Sequence, residues 1–158
     1  MNKIIMLIGA AASGKSTAAP KIAAEHQNAV ILSTDKMRAE LYGAEHIQGN
    51  WSDIEALLYK RIKNAIKADK NIILDSTHFK KEYRAKIIKN FAKYLEFSAY
   101  YFNYPFALIY SRNKRRADSI SRNNNCVILG GYFWRGGSLT GRGRAYKHND
   151  FIHHQNYL

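Results

Sequence analysis

The chain has one cysteine, two prolines and no apolar run near the ~20 residues that a membrane helix needs. The lone thiol, Cys126, excludes an internal disulfide and fits a reducing compartment, so a cytoplasmic location is expected. The longest apolar run, Ile4 to Ile8, is short enough to be a strand, and no membrane association is expected. At 158 residues the length suits one domain with a single ordinary core. Acids are scarce: 12 Asp and Glu stand against 25 Lys and Arg. The imbalance is uneven, since residues 1–78 hold ten basic and eight acidic residues while residues 79–158 hold fifteen and four. A basic second half points to a polyanionic partner, because each neutralised phosphate releases counterions and steers approach. His148, His153 and His154 lack the acidic or thiol company of a metal site, so no zinc is assigned. No stable protein partner is inferable from the sequence.

What the chain does have is Gly9-Ala10-Ala11-Ala12-Ser13-Gly14-Lys15-Ser16-Thr17, which meets the phosphate-loop pattern G-x-x-x-x-G-K-S/T at every fixed position. The context agrees. Lys3 to Ile8 reads as a buried strand, and Ser16 to about His26 reads as a helix in which Pro20 is awkward. A secretory leader, with Lys3 as its basic head and Ile4 to Ala12 as its apolar core, would not need Gly14-Lys15-Ser16 in that register. Such a loop aims unpaired N–H groups at phosphates. Lys15 would reach the β- and γ-phosphates, and the Ser16 hydroxyl would ligate Mg²⁺.

Strands alternate with helices along the rest of the chain. Ala29 to Ser33 reads as a second strand, with Thr34 capping a helix over Asp35 to Leu41 that stops at Gly43. Ser52-Asp53-Ile54-Glu55 has the form of a capping box, and Ile54, Leu57, Leu58, Ile62 and Ile66 follow at helical spacing. Asn71 to Asp75 is a third strand ending in an acid, a basic helix is expected over Lys80 to Tyr94, and Glu96 to Phe102 is a fourth strand. Pro105 suits the first position of a helix running to about Ala117. This alternation predicts parallel βαβ units, so Gly9, Thr34-Asp35 and Asp75-Ser76 should share one sheet edge, where α/β ligands bind.

Two pairs carry the expected chemistry. Asp35 and Arg38 lie three apart on one helical face, a spacing that lets Asp35 accept a proton from an attacking hydroxyl while Arg38 holds an anionic group of the acceptor. Arg112 and Arg116 lie four apart and would stabilise charge on the transferred phosphoryl group.

Ile4 through Thr17, Ser33-Thr34-Asp35-Lys36-Met37-Arg38, Ile72 through Thr77, and Tyr104-Pro105 with Arg112-Asn113-Lys114-Arg115-Arg116 together resemble the kinase domain of phage-type 5′-hydroxyl polynucleotide kinases. The resemblance spans residues 3 to about 117. It implies an α/β P-loop NTPase three-layer sandwich, with a four-stranded parallel sheet, helices on both faces and a tunnel-like active site that admits ATP and a nucleic-acid 5′ end. It assigns Gly9, Ala12, Ser13, Gly14, Lys15, Ser16 and Thr17 to the phosphate loop, Ser16 to Mg²⁺ and Asp75 to that metal's water shell, Asp35 to the base, Arg38 to the acceptor phosphate, and Arg112 and Arg116 to a lid on ATP. The implied activity is transfer of the γ-phosphoryl group to the 5′-hydroxyl of DNA or RNA.

Small hydroxyl acceptors such as a nucleoside, sugar or antibiotic remain an alternative, as does a nucleotide-binding, nucleic-acid-binding module without catalysis. His78 reads either as lining the acceptor channel or as a half-exposed loop residue. After the lid the chain departs from the family, which continues into a Val-Pro turn and an amphipathic helix. Here Ile120 to Asn125 leads into a stretch with six of the ten glycines and no acid between Asp118 and Asp150. The expected division is a kinase domain at 1–122 and a Gly-rich basic tail at 123–158, poorly ordered, in which Tyr132, Phe133 and Trp134 beside Arg135 are candidates for base stacking.

Overall fold

A computed structural model describes residues 1–78 and 80–115. Within them lie β1 (Asn2–Gly9), α1 (Lys15–Ala24), β2 (Ala29–Ser33), α2 (Thr34–Tyr42), α3 (Trp51–Lys67), β3 (Asn71–Asp75), α4 (Lys81–Phe91), β4 (Leu95–Phe102) and α5 (Phe106–Lys114). The four strands form one parallel sheet in the order β2-β3-β1-β4. The tail, with Tyr132, Phe133 and Trp134, and Arg116 lie outside the described residues.

Alternation along the central strands divides the core in two, because successive side chains of a strand point to opposite faces. Ile4, Met6, Ile72 and Leu74 pack with Met37, Ile54, Leu58, Ile62, Ile87 and Phe91 on the α2-α3-α4 side. Ile5, Leu7 and Ile73 pack with Ala19 and Ile22 of α1 and with Tyr100 on the other. The continuous apolar runs of β1 and β3 are what a parallel strand covered on both faces requires.

Three helix starts differ from the sequence expectation. Ser33, in extended conformation, caps α2 by accepting the Lys36 N–H at 3.4 Å, so Thr34 is a helical residue and is buried. The box at Ser52 does not form: Asn50 caps α3 by accepting the Ser52 N–H at 3.2 Å. The helix reaches back to include Trp51, whose ring stacks on Tyr83 with centroids 5.0 Å apart, and Glu55 bonds Lys86 Nζ at 2.6 Å instead of turning to the helix start. Pro105 stands one residue before α5, in polyproline-like backbone, where its carbonyl accepts the N–H groups of Leu108 and Ile109. Pro20 sits inside α1 on the exposed side, and the helix runs through it.

Candidate active site

Register brings the site together. Leu7 of β1 pairs with Asp75 of β3, and Asp75 pairs with Ser33 of β2, so the ends of three strands meet at one edge. Phosphate loop, Asp35 and Asp75 therefore share that edge, as the βαβ pattern predicted.

The loop's glycines have different reasons. A Cβ on Gly9 would come within 2.9 Å of the Phe102 backbone oxygen and of Ser13 Oγ, so only glycine lets β1, β4 and the loop close together. Gly14 has φ 90, and Ala12 also adopts left-handed backbone at φ 62. Left-handed residues within a turn direct successive N–H groups toward a common concavity, an anion-binding arrangement. The loop then runs into α1 at its positive end. Ser13 is fully buried beneath it. Lys15 is also buried and folds over the loop, its Nζ donating to Gly9 O at 3.0 Å and to Ala10 O at 2.6 Å, with Ser13 Oγ at 3.4 Å. Ser16 and Thr17 open α1 on its exposed side.

Asp75 is buried at the end of β3, hydrogen-bonded to the Ser16 side chain. Burial raises its pKa above the ordinary value, an effect that Asp35 reinforces and that the Ser16 bond, Lys15 and Lys36 oppose. Those couplings tie the loop, β3 and the start of α2 into one electrostatic unit. Asp35 forms an ion pair with Arg38; its side chain is 57% exposed, that of Arg38 only 15%. The Arg38 guanidinium is therefore enclosed against the fold, with Nε lacking a hydrogen-bond partner among the described residues, while the carboxylate faces open space. Arg112, on α5, is exposed and lies over the Tyr104 ring at 5.0 Å. The described residues show no ion pair between Arg112 and the loop.

His78 is neither half-exposed nor turned outward. It is buried, adopts left-handed backbone at φ 45, and places Nδ1 3.3 Å from the Leu7 carbonyl. Burial, with help from Lys15 and Arg84, pushes its pKa down to about 4, so the ring is neutral near pH 7. Arg84 donates to the His78 carbonyl at 2.5 Å, and the Gly9 N–H donates to Thr77 O at 3.3 Å. The segment after β3 is thus a wall of the loop. Sequence reasoning missed Arg84 in this role; its one signal was a basic residue in the first turn of a helix that follows a site strand.

The oxygen pair Ser16 and Asp75 is a hard donor set of the kind Mg²⁺ prefers. No group of three His, Cys, Asp or Glu side chains fit to hold a metal occurs among the described residues. No helix among them is long and apolar enough to cross a membrane.

A family model described as an AAA domain, AAA_33, matches residues 4–127. Among solved structures, a chain of the Pnkp1/Rnl/Hen1 RNA repair complex is similar at 20% identity and TM-score 0.68, over 82% of this chain and 44% of that one. Kti12 from Chaetomium thermophilum, in complex with ADP-AlF3, is similar at 21% identity and TM-score 0.65, over 82% and 79%. A gluconokinase from Sinorhizobium meliloti 1021 is similar at 16% identity and TM-score 0.55, over 87% and 78%. The chain spans less than half the length of the Pnkp1-complex chain it matches. No curated protein matches it. These likenesses show a P-loop kinase-like fold.

Proposed function

We propose, for a chain that belongs to the AAA_33 family of AAA domains, that it transfers the γ-phosphoryl group of ATP to the 5′-hydroxyl end of DNA or RNA. The observation that carries this reading is Asp35: an exposed carboxylate at the start of α2, electrostatically coupled to the Asp75–Ser16 pair and held by an enclosed arginine. Phosphoryl transfer asks mainly for positioning and charge stabilisation. The loop N–H groups and Lys15 bind the phosphates. Ser16 would hold Mg²⁺ with Asp75 supporting the metal's water shell, and the bound ion would offset the phosphate charge. Asp35 accepts the proton of the attacking hydroxyl. Arg38 turns from Asp35 to the acceptor's phosphate, a swap of one anion for another. Arg112 and Arg116 close over the ATP phosphates. Residues 1–122 form the catalytic unit and 123–158 an appended basic segment.

A polymeric acceptor is supported by the concentration of basic residues after residue 78 and by the likeness to a chain of an RNA repair complex. The test is transfer of labelled γ-phosphate from ATP to a short 5′-hydroxyl oligonucleotide, with the 5′-phosphorylated form and a free nucleoside as parallel acceptors. Label on the 5′-hydroxyl oligonucleotide alone is expected. Label on the nucleoside alone would replace the reading with a small-acceptor kinase, which the likeness to a gluconokinase favours as the second reading.

A further inference from the structure

Three contacts join α3 to α4 like rungs: Trp51 stacked on Tyr83, the Glu55–Lys86 ion pair, and Tyr59 edge-on to Phe91 with centroids 5.3 Å apart. Below the third rung, toward the C-terminal ends of both helices, lies a groove of about 710 Å³. Lys60, Lys63 and Lys67 line its α3 side, and Tyr59, Asn90 and Tyr94 complete the surface that matters here. Among the described residues no carboxylate lines it. Glu55, one turn before Tyr59 on α3, is taken by Lys86 Nζ at 2.6 Å and by the Tyr59 hydroxyl at 3.3 Å. None of the three lysines is in an ion pair among the described residues, and Tyr94 is 58% exposed. Lys67 stands just before the start of β3 and Tyr94 just before the start of β4, whereas Asp35 follows the end of β2, so in a parallel sheet the groove is at the opposite end from Asp35.

We propose that this groove is a second nucleic-acid contact, which takes the phosphates of a single strand on Lys60, Lys63 and Lys67 and stacks a base on Tyr94, away from the reacting end. The proposal rests on the nucleic-acid reading of the acceptor. Unpaired lysines at helical spacing supply a track for backbone charge, and an exposed ring beside them supplies a face that any base can cover. Amide groups such as Asn90 can meet sugar or base edges without excluding any sequence. Lysines near a helix C-terminus also offset the helix dipole, but that role alters stability and not the salt dependence of binding.

The experiment uses the full chain, single-stranded oligonucleotides of about twenty nucleotides, longer than the roughly 4–16 that one strand-binding fold covers, and a two-nucleotide 5′-hydroxyl acceptor. Binding is followed by fluorescence anisotropy across a salt series, and transfer by label. Lys60→Gln/Lys63→Gln/Lys67→Gln is expected to lower the slope of log affinity against log salt by about 2, given about 0.7 per single-strand phosphate contact. It should raise KM for the long acceptor and leave KM for the short one unchanged. Tyr94→Ala should weaken long-strand binding about ten-fold while keeping the wild-type salt slope. A slope like that of the charge-matched Lys3→Gln/Lys21→Gln/Lys114→Gln variant would overturn the proposal. So would an affinity loss that follows only a lowered Tm, or retention of oligonucleotide binding with loss of binding to an acidic peptide or to anionic vesicles. Groove-dependent binding without phosphorylation of any 5′ end would sink the kinase reading alone. Phosphorylation with equal KM for both acceptor lengths in wild type and variant would sink the groove alone.

Discussion

The edge that carries the phosphate loop and the face that carries α2, α3 and α4 are built from opposite materials. At the edge, Ser13, Lys15, Asp75 and His78 are buried, and left-handed backbone occurs at Ala12, Gly14 and His78. On the helical face, Met37, Ile54, Leu58 and Ile62 are sealed at 1% exposure or less. The edge buries polar groups at a cost in stability, and the face supplies the apolar burial that offsets it. Changes at the edge should therefore move activity more than folding, and changes at the face the reverse.

The largest expected effect is catalytic. Asp35→Asn should slow phosphoryl transfer by about 10²- to 10⁴-fold, the usual contribution of a general base, while ATP affinity and Tm stay near wild type. Equal losses in ATP binding and transfer would mean that Asp35 is structural. From the other side of the comparison, Leu58→Ala removes a side chain 1% exposed at the centre of the helical face. It should lower unfolding free energy by about 2–5 kcal/mol, read from the denaturant midpoint, with transfer per folded molecule unchanged.

His78 tests whether the edge's cost is visible in pH. Its folded pKa of about 4 lies below the ordinary 6.5, so protonation favours the unfolded chain. Its contribution is complete above pH 6.5 and is lost as pH falls from 6.5 to about 4, a change on the order of 3 kcal/mol. Urea titrations at several pH values should show that slope in the wild type and a flatter profile in His78→Asn, since asparagine tolerates the left-handed backbone. The smallest effect belongs to Asp75. Burial disfavours its charged form, so Asp75→Asn should leave Tm unchanged or raise it while weakening Mg²⁺-dependent ATP binding. A clear fall in Tm would show that the carboxylate is part of the folding scaffold.

Parts of this contrast were legible in the chain itself. Gly9 through Thr17 declared the loop, and the apolar runs Ile4 to Ile8 and Ile72 to Leu74 declared strands covered on both faces. Helix starts were less legible. Thr34 and Ser52 had the composition of caps, but Ser33 and Asn50 took the role once Thr34 was buried and Trp51 found Tyr83. A cap is chosen by where neighbouring side chains are buried, which a local pattern does not contain. Arg112 is exposed over the Tyr104 ring, a contact that the helical spacing of Arg112 and Arg116 does not contain, and Arg116 lies outside the described residues.

By itself, the sequence determined which segments alternate as strand and helix, which loop has the phosphate-loop pattern, and that Asp75 ends a strand while Asp35 opens the helix that follows one. These follow from short-range rules: the two-residue period of a strand, the helical period, and the backbone freedom of glycine. Only the tertiary structure decided that His78 would be buried against Leu7, that Arg84 would hold the His78 carbonyl, that Arg38 would be enclosed while Asp35 stays open, and that α3 and α4 would leave a basic groove below their last rung. The physical reason is distance along the chain. Leu7 and His78 are 71 residues apart, and burial and electrostatic coupling exist only after the sheet has brought such residues side by side.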